Sequence, residues 1–203
     1  DIIFVINEVT TEPNSTLTWD GSKLEKVNVY RYPGGHMLKD GSQDENEVYT
    51  GKILHIIDNS AFVMNNIYLS GSRDIQDNVN FNPNNQEITS SEPLITIANN
   101  SEVSIYNSSL VHNNNTSHSF SAAIYNEGTL NIDGVVIENN SSNEVGTGIY
   151  QNGIMNISNT LQTIINDEVY LPDTRIMTAL NGYLTPDSQI NNIRVHIFQL
   201  SHN

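Results

Sequence analysis

The chain has no cysteine, so neither a disulfide nor a thiolate ligand or nucleophile is available to it. Basic residues are scarce as well. Eight Lys and Arg stand against 23 Asp and Glu, for a formal charge of −15. Such a surface repels a phosphate backbone and an anionic bilayer, which excludes nucleic acid and argues against membrane association. No apolar run is long enough to span a bilayer, so insertion by this chain is excluded too. No signal-peptide pattern and no initiator Met open it, and the chain is expected to be a piece cut from a longer protein. Sustained helical periodicity is missing; the segment NTLQTIINDEV, residues 159–169, is the one stretch compatible with a helical turn.

What the chain does have is asparagine, 31 of 203 residues, with Ser, Thr, Ile and Val beside it and only six Pro. Disordered chains favour Glu, Lys and Pro and are poor in β-branched residues, so this composition points to order and to strands. Short alternating apolar runs bounded by Asn, Gly, Ser and Asp recur: KVNVYRY, KILHII, LITIA, EVSIY, TLNI, VVIE and IRVHIF. They repeat in register. Ile56, Phe62, Met64 and Leu69 match Ile97, Val103, Ile105 and Leu110 at an offset of 41 residues. Those four match Ile124, Leu130, Ile132 and Ile137 at 27, and Ile124, Gly128, Leu130 and Ile132 match Ile149, Gly153, Met155 and Ile157 at 25. The longer step carries a polar insertion, residues 71–92.

A period in the twenties with strands this short defines a solenoid, because a strand of three to five residues buries a face only by stacking on its counterpart one turn away. The expected fold is all-β, a parallel β-helix (β-solenoid) of roughly six to eight rungs, counting length over period. Residues 1–50 form an N-terminal cap or irregular first coils, 51–166 the regular coils, and 167–203 continuing coils. Asn99, Asn126 and Gln151 align at one corner, and Ser101, Gly128 and Gly153 at the next. Gly at a corner tolerates positive φ, with Asn next best, and stacked amides can bond along the axis.

The repeats AAIYNEGTLNI and IENN resemble those of polymorphic outer-membrane-protein-like and adhesin-like microbial surface proteins. Ala122, Ala123 and Ile124, like Thr147, Gly148 and Ile149, stand for the GGAI-type element of that family. Leu110 to Asn113 and Ile137 to Asn140 stand for its FxxN-type element. The likeness covers roughly residues 94–158, while residues 49–71 and 169–190 look like earlier and later coils of the same proteins. It implies a right-handed parallel β-helix, exported and displayed on a microbial cell. With no acid pair beside a base or cation in the sequence, the expected role is that of a non-enzymatic adhesin-like module toward a glycan or a cell-surface protein.

Candidate chemistry is sparse. No Asp-Asp pair falls on one strand, the four arginines are far apart, and there is no G-x-S-x-G, so no catalytic residue is assigned. A polysaccharide lyase or hydrolase whose acids meet only in three dimensions is the alternative, and a purely structural spacer is a third. The six histidines lack metal-ligand spacing. Asp40, Asp44 and Glu47 lie in the densest acidic run and form a weak Ca²⁺ candidate, without the Gly and closing Glu of a calcium loop; no other cofactor is expected. Tyr125 and Tyr150 occupy equivalent positions and are expected to stack outward as a platform for a sugar. A cut solenoid exposes its end strands, so end-to-end self-association is expected as well.

Overall fold

The structure, a computed structural model, describes residues 2–24, 27–32, 49–72, 88–117, 121–158, 161–172, 177–179 and 189–195. Among these there is no helix, and every paired strand runs parallel to its neighbours. A first strand, β1 (Ile2–Ile6), is followed by β2 (Val9–Thr10), β3 (Thr16–Asp20) and β4 (Val27–Arg31). The pattern then repeats as β5 (Leu54–Ile56), β6 (Ala61–Asn65) and β7 (Ile67–Ser70). Next come β8 (Ile95–Ile97), β9 (Glu102–Tyr106), β10 (Ser109–Val111) and β11 (Asn114–Asn115). Their equivalents are β12 (Ile124–Asn126), β13 (Thr129–Asp133), β14 (Val136–Glu138) and β15 (Ser141–Ser142). The chain closes with β16 (Ile149–Gln151), β17 (Ile154–Ile157), β18 (Ile164–Leu171), β19 (Met177–Ala179) and β20 (Gln189–Val195).

Each circuit returns the chain to the same rows. One row runs β3-β6-β9-β13-β17-β19. A second runs β1-β4-β7-β10-β14 and a third β2-β5-β8-β12-β16, and the eight-residue β18 joins them by pairing with β14 through Ile164–Ile165 and with β16 through Val169–Tyr170. The expectation of a helical turn at 159–169 is therefore corrected: Ile164–Leu171 is a strand. Its Ile165, Val169 and Leu171 are buried apolar residues, and the extended backbone delivers them into two adjacent rows.

The core is a set of apolar ladders. Phe62, Val103, Leu130 and Met155 stack in one, Met64, Ile105, Ile132 and Ile157 in the next, and all are at most 2% exposed. Leu69, Leu110, Ile137 and Ile165 form a third. Full burial of each such side chain is worth about 1.5–3 kcal/mol, which is what three-residue strands need in order to persist. One match read from the sequence is corrected. Ile124 pairs with Ile95, and Asn126 rather than Ile124 pairs with Ile97. The corner Ala98–Ser101 is two residues longer than its successor, and this slip displaces Asn99 from the corner position it was expected to share with Asn126 and Gln151.

One column of corners is filled by Asn and Gly. Asn66, Asn107 and Gly134 sit in register with φ of 56°, 47° and 67°, so the left-handed conformation there is met by the two residue types that tolerate it. Gly128 and Gly153 are different: neither has positive φ, and each is needed because the preceding rung leaves no room for a Cβ.

Asn113 and Asn140 face inward. Both are buried, and they belong to a hydrogen-bonded series. Arg31 Nη2 donates to Asn113 Oδ1 (2.9 Å), the Asn113 backbone N–H to Asn140 Oδ1 (3.0 Å), and Asn140 Nδ2 to Asp167 Oδ2 (2.8 Å). A cation at one end and a carboxylate at the other bracket two amides. These asparagines hold the corner together.

Candidate functional site

The outward positions of the third row form one continuous line. In register they are Thr10, His55, Thr96, Tyr125, Tyr150, Tyr170 and Arg194. The alternation of a strand sets their direction, because Ile124 and Asn126 on either side of Tyr125 are both buried. Tyr125 and Tyr150 are half-buried, and their rings stack with centroids 5.1 Å apart and planes 11° apart. Tyr170 extends the stack at 5.4 Å and 31°, and is 8% exposed. Beyond it, Arg194 pairs with the buried Glu168 at 2.9 Å.

Sequence comparison found the first two rings and missed the third. Tyr170 follows Tyr150 by 20 residues, short of the period in the twenties, because β18 runs straight from one row into the next without the excursion that carries β11 and β15.

The Tyr125 hydroxyl donates to Glu127 Oε1 (3.2 Å). Burial pushes the Tyr125 phenol up to about 12, with the Glu127 carboxylate and Tyr150 adding to it; Tyr150 is raised as well, by burial first and then by Tyr170 and Glu127. Both hydroxyls are neutral donors across the physiological range. Glu127 also lines a surface groove of about 520 Å³ with Asn99, Asn100, Thr129, Asn152 and the exposed Ile154. Aromatic stack and amide-lined groove thus adjoin around one corner.

At the other end of the line lies a second polar group. Glu8 Oε1 accepts from Thr10 Oγ1 (2.8 Å) and lies 3.6 Å from His55 Nδ1, while Glu8 Oε2 accepts from the Tyr49 hydroxyl (3.1 Å). Burial raises the Glu8 carboxyl, but the hydrogen bonds from Thr10 and Tyr49 and the charges of Lys52 and His55 bring it below its ordinary value. Burial pushes Tyr49 up to about 12, with Glu8 assisting, and lowers His55 with the help of Lys52. Arg31 lies beneath, its guanidinium carbon 5.9 Å from the Tyr49 ring centroid; burial brings it down to about 10. Sequence reading did not single out these residues, which are separated by excursions of the chain.

Asp40, Asp44 and Glu47 lie outside the described residues, as does most of the 71–92 insertion. Among the described residues no three His, Asp or Glu gather to hold a metal ion. Comparison with protein-family models, curated proteins and solved structures gives no match.

Proposed function

We propose that the chain is a right-handed parallel β-helix serving as a non-enzymatic recognition module of an exported microbial surface protein, and that it binds glycan on the face bearing Tyr125 and Tyr150. The parallel rows that the chain revisits in register support the fold. The observation that carries the binding role is the half-buried ring stack beside a groove rich in amides and a carboxylate. Sugars are recognised by that combination of an aromatic surface and convergent polar groups.

The test is binding of the isolated chain to a panel of glycans and extracellular-matrix proteins, with Tyr125→Ala plus Tyr150→Ala as the variant. Ring contacts contribute about 0.5–1.5 kcal/mol each, so the pair should weaken a specific glycan hit roughly ten- to a hundredfold. A hit that the double variant leaves unchanged removes recognition from this face. Absence of any hit from folded protein favours the spacer.

One observation favours a second reading, a polysaccharide-active enzyme. Glu8 lies 3.6 Å from His55 Nδ1 and accepts from the Tyr49 hydroxyl, and the Glu92 carboxylate, from a different rung, is near enough to raise both groups slightly. That reading requires new reducing ends or unsaturated sugars to accumulate when the chain is incubated with polysaccharide.

A further inference from the structure

The stack of rings has a gap. Tyr150 covers one face of Tyr125, and among the described residues no ring covers the other. The next position in the line is Thr96, and the position after it is His55. Rungs lie about 4.8 Å apart, so Tyr125 and His55 stand roughly 9.6 Å apart along the axis, and among the described residues of the row Thr96 alone lies between them. Two van der Waals contacts of about 4 Å fit in that interval with one saccharide ring between. Thr96 Oγ1 is covered and has no hydrogen-bond partner, so the part of the residue that solvent reaches is not its hydroxyl.

We infer that the space over Thr96, between His55 and Tyr125, is a subsite for a single neutral pyranose ring. The inference rests on the glycan reading above and deepens it by naming the place and the sugar class. Carboxylates decide the class. Glu8 and Glu92 stand near His55 with the cation Lys52 among them, and Glu127 stands against Tyr125, so carboxylates outnumber cations around the described residues of the gap. An ionised carboxylate is acceptor-only and has lone pairs to spare for sugar hydroxyls. A uronate, sialic acid or sulfated sugar would bring a like charge to a chain that already carries −15. A neutral ring instead lays its C–H face on Tyr125 and donates its hydroxyls outward to Glu127 and Glu8.

The test uses the whole chain and three probes, methyl β-D-galactopyranoside, methyl β-D-glucopyranoside and methyl β-D-glucuronide, followed by NMR of the ring protons. The His55 and Tyr125 resonances are expected to move with a neutral probe, and the glucuronide to bind at least tenfold more weakly. Thr96→Tyr adds a ring in the gap on a strand that accepts Tyr readily; it should cost at least tenfold in affinity. Thr96→Val leaves the gap open and should bind within about twofold of the parent. If Thr96→Tyr binds as the parent does while the Tyr125→Ala, Tyr150→Ala pair does not, the subsite is wrong and the ring face stands. If the parent shifts resonances only at Tyr150 and Tyr170, the subsite is wrong on the parent alone, whatever the folding of the variants. If the parent binds no glycan at all, the ring-face reading and the subsite fall together.

Discussion

Asn113→Ala is expected to lower stability by about 3–5 kcal/mol, the range for a buried charge that loses its partner. Asn113 is fully buried. Its Oδ1 accepts from Arg31, and its Nδ2 donates to the carbonyls of Glu92 (3.0 Å) and Ala122 (2.7 Å). Alanine removes all three bonds at once. The Arg31 guanidinium, with no solvent exposure, keeps among the described residues only the Gly51 carbonyl as acceptor, and its Nε already has none there. Each buried carbonyl left without its donor adds about 1–3 kcal/mol of desolvation. Arg31→Met should relieve much of this, because it withdraws the charge along with its acceptor. A double-mutant cycle read by urea denaturation should give a coupling of at least about 1 kcal/mol between Arg31 and Asn113. Additive losses would show that the two do not form one unit.

Gly153→Ala is expected to cost about 3 kcal/mol, at the top of the range for overpacking. A Cβ at Gly153 would run into the Gly128 carbonyl oxygen and lie 2.6 Å from the Glu127 carbonyl carbon. The preceding rung cannot retreat. Ile154 N–H donates to the Gly128 carbonyl at 2.7 Å and Asn152 N–H to the Asn126 carbonyl at 2.8 Å, and these bonds set the rung spacing. The same corner one rung back behaves alike, since a Cβ at Gly128 would lie 2.6 Å from the Ala98 carbonyl oxygen. Thermal unfolding checks the value, and a change below about 0.5 kcal/mol would mean that the rungs at this corner are not in contact.

These two glycines show how a correct alignment can carry a wrong reason. Ser101, Gly128 and Gly153 are in register as the sequence suggests, but the constraint is close approach rather than positive φ. One column that does take positive φ is Asn66, Asn107 and Gly134, which apolar matching does not reveal because none of its members is apolar. The apolar ladders were legible wherever neighbouring corners have equal length. They were illegible at Ala98–Ser101, where two added residues, Asn99 and Asn100, slip the register.

That slip also hid the proposed sugar subsite. Matching Ile97 to Ile124 places Ala98 beside Tyr125, whereas the observed pairing places Thr96 there and His55 beyond it. Tyr125 and Tyr150 were visible because their rungs are of equal build. Tyr170 was not, because β18 shortens its turn. The Arg31–Asn113 bond joins residues 82 apart and has no local signature at all.

The central claim is that each repeat is one complete turn of the chain, so that a whole repeat can be removed and the remaining rungs close over the gap. Deleting residues 124–148 joins Ala123 to Ile149 and sets Ile149, the present partner of Ile124, into its place on Ile95. Deleting only 124–135 removes half a turn and leaves every later strand out of register with its row. Thermal unfolding followed by circular dichroism should give the first variant a β-rich spectrum and a single cooperative transition, and the second neither. If the whole-turn deletion unfolds as completely as the half-turn deletion, or if both fold alike, the chain is not built from stacked turns.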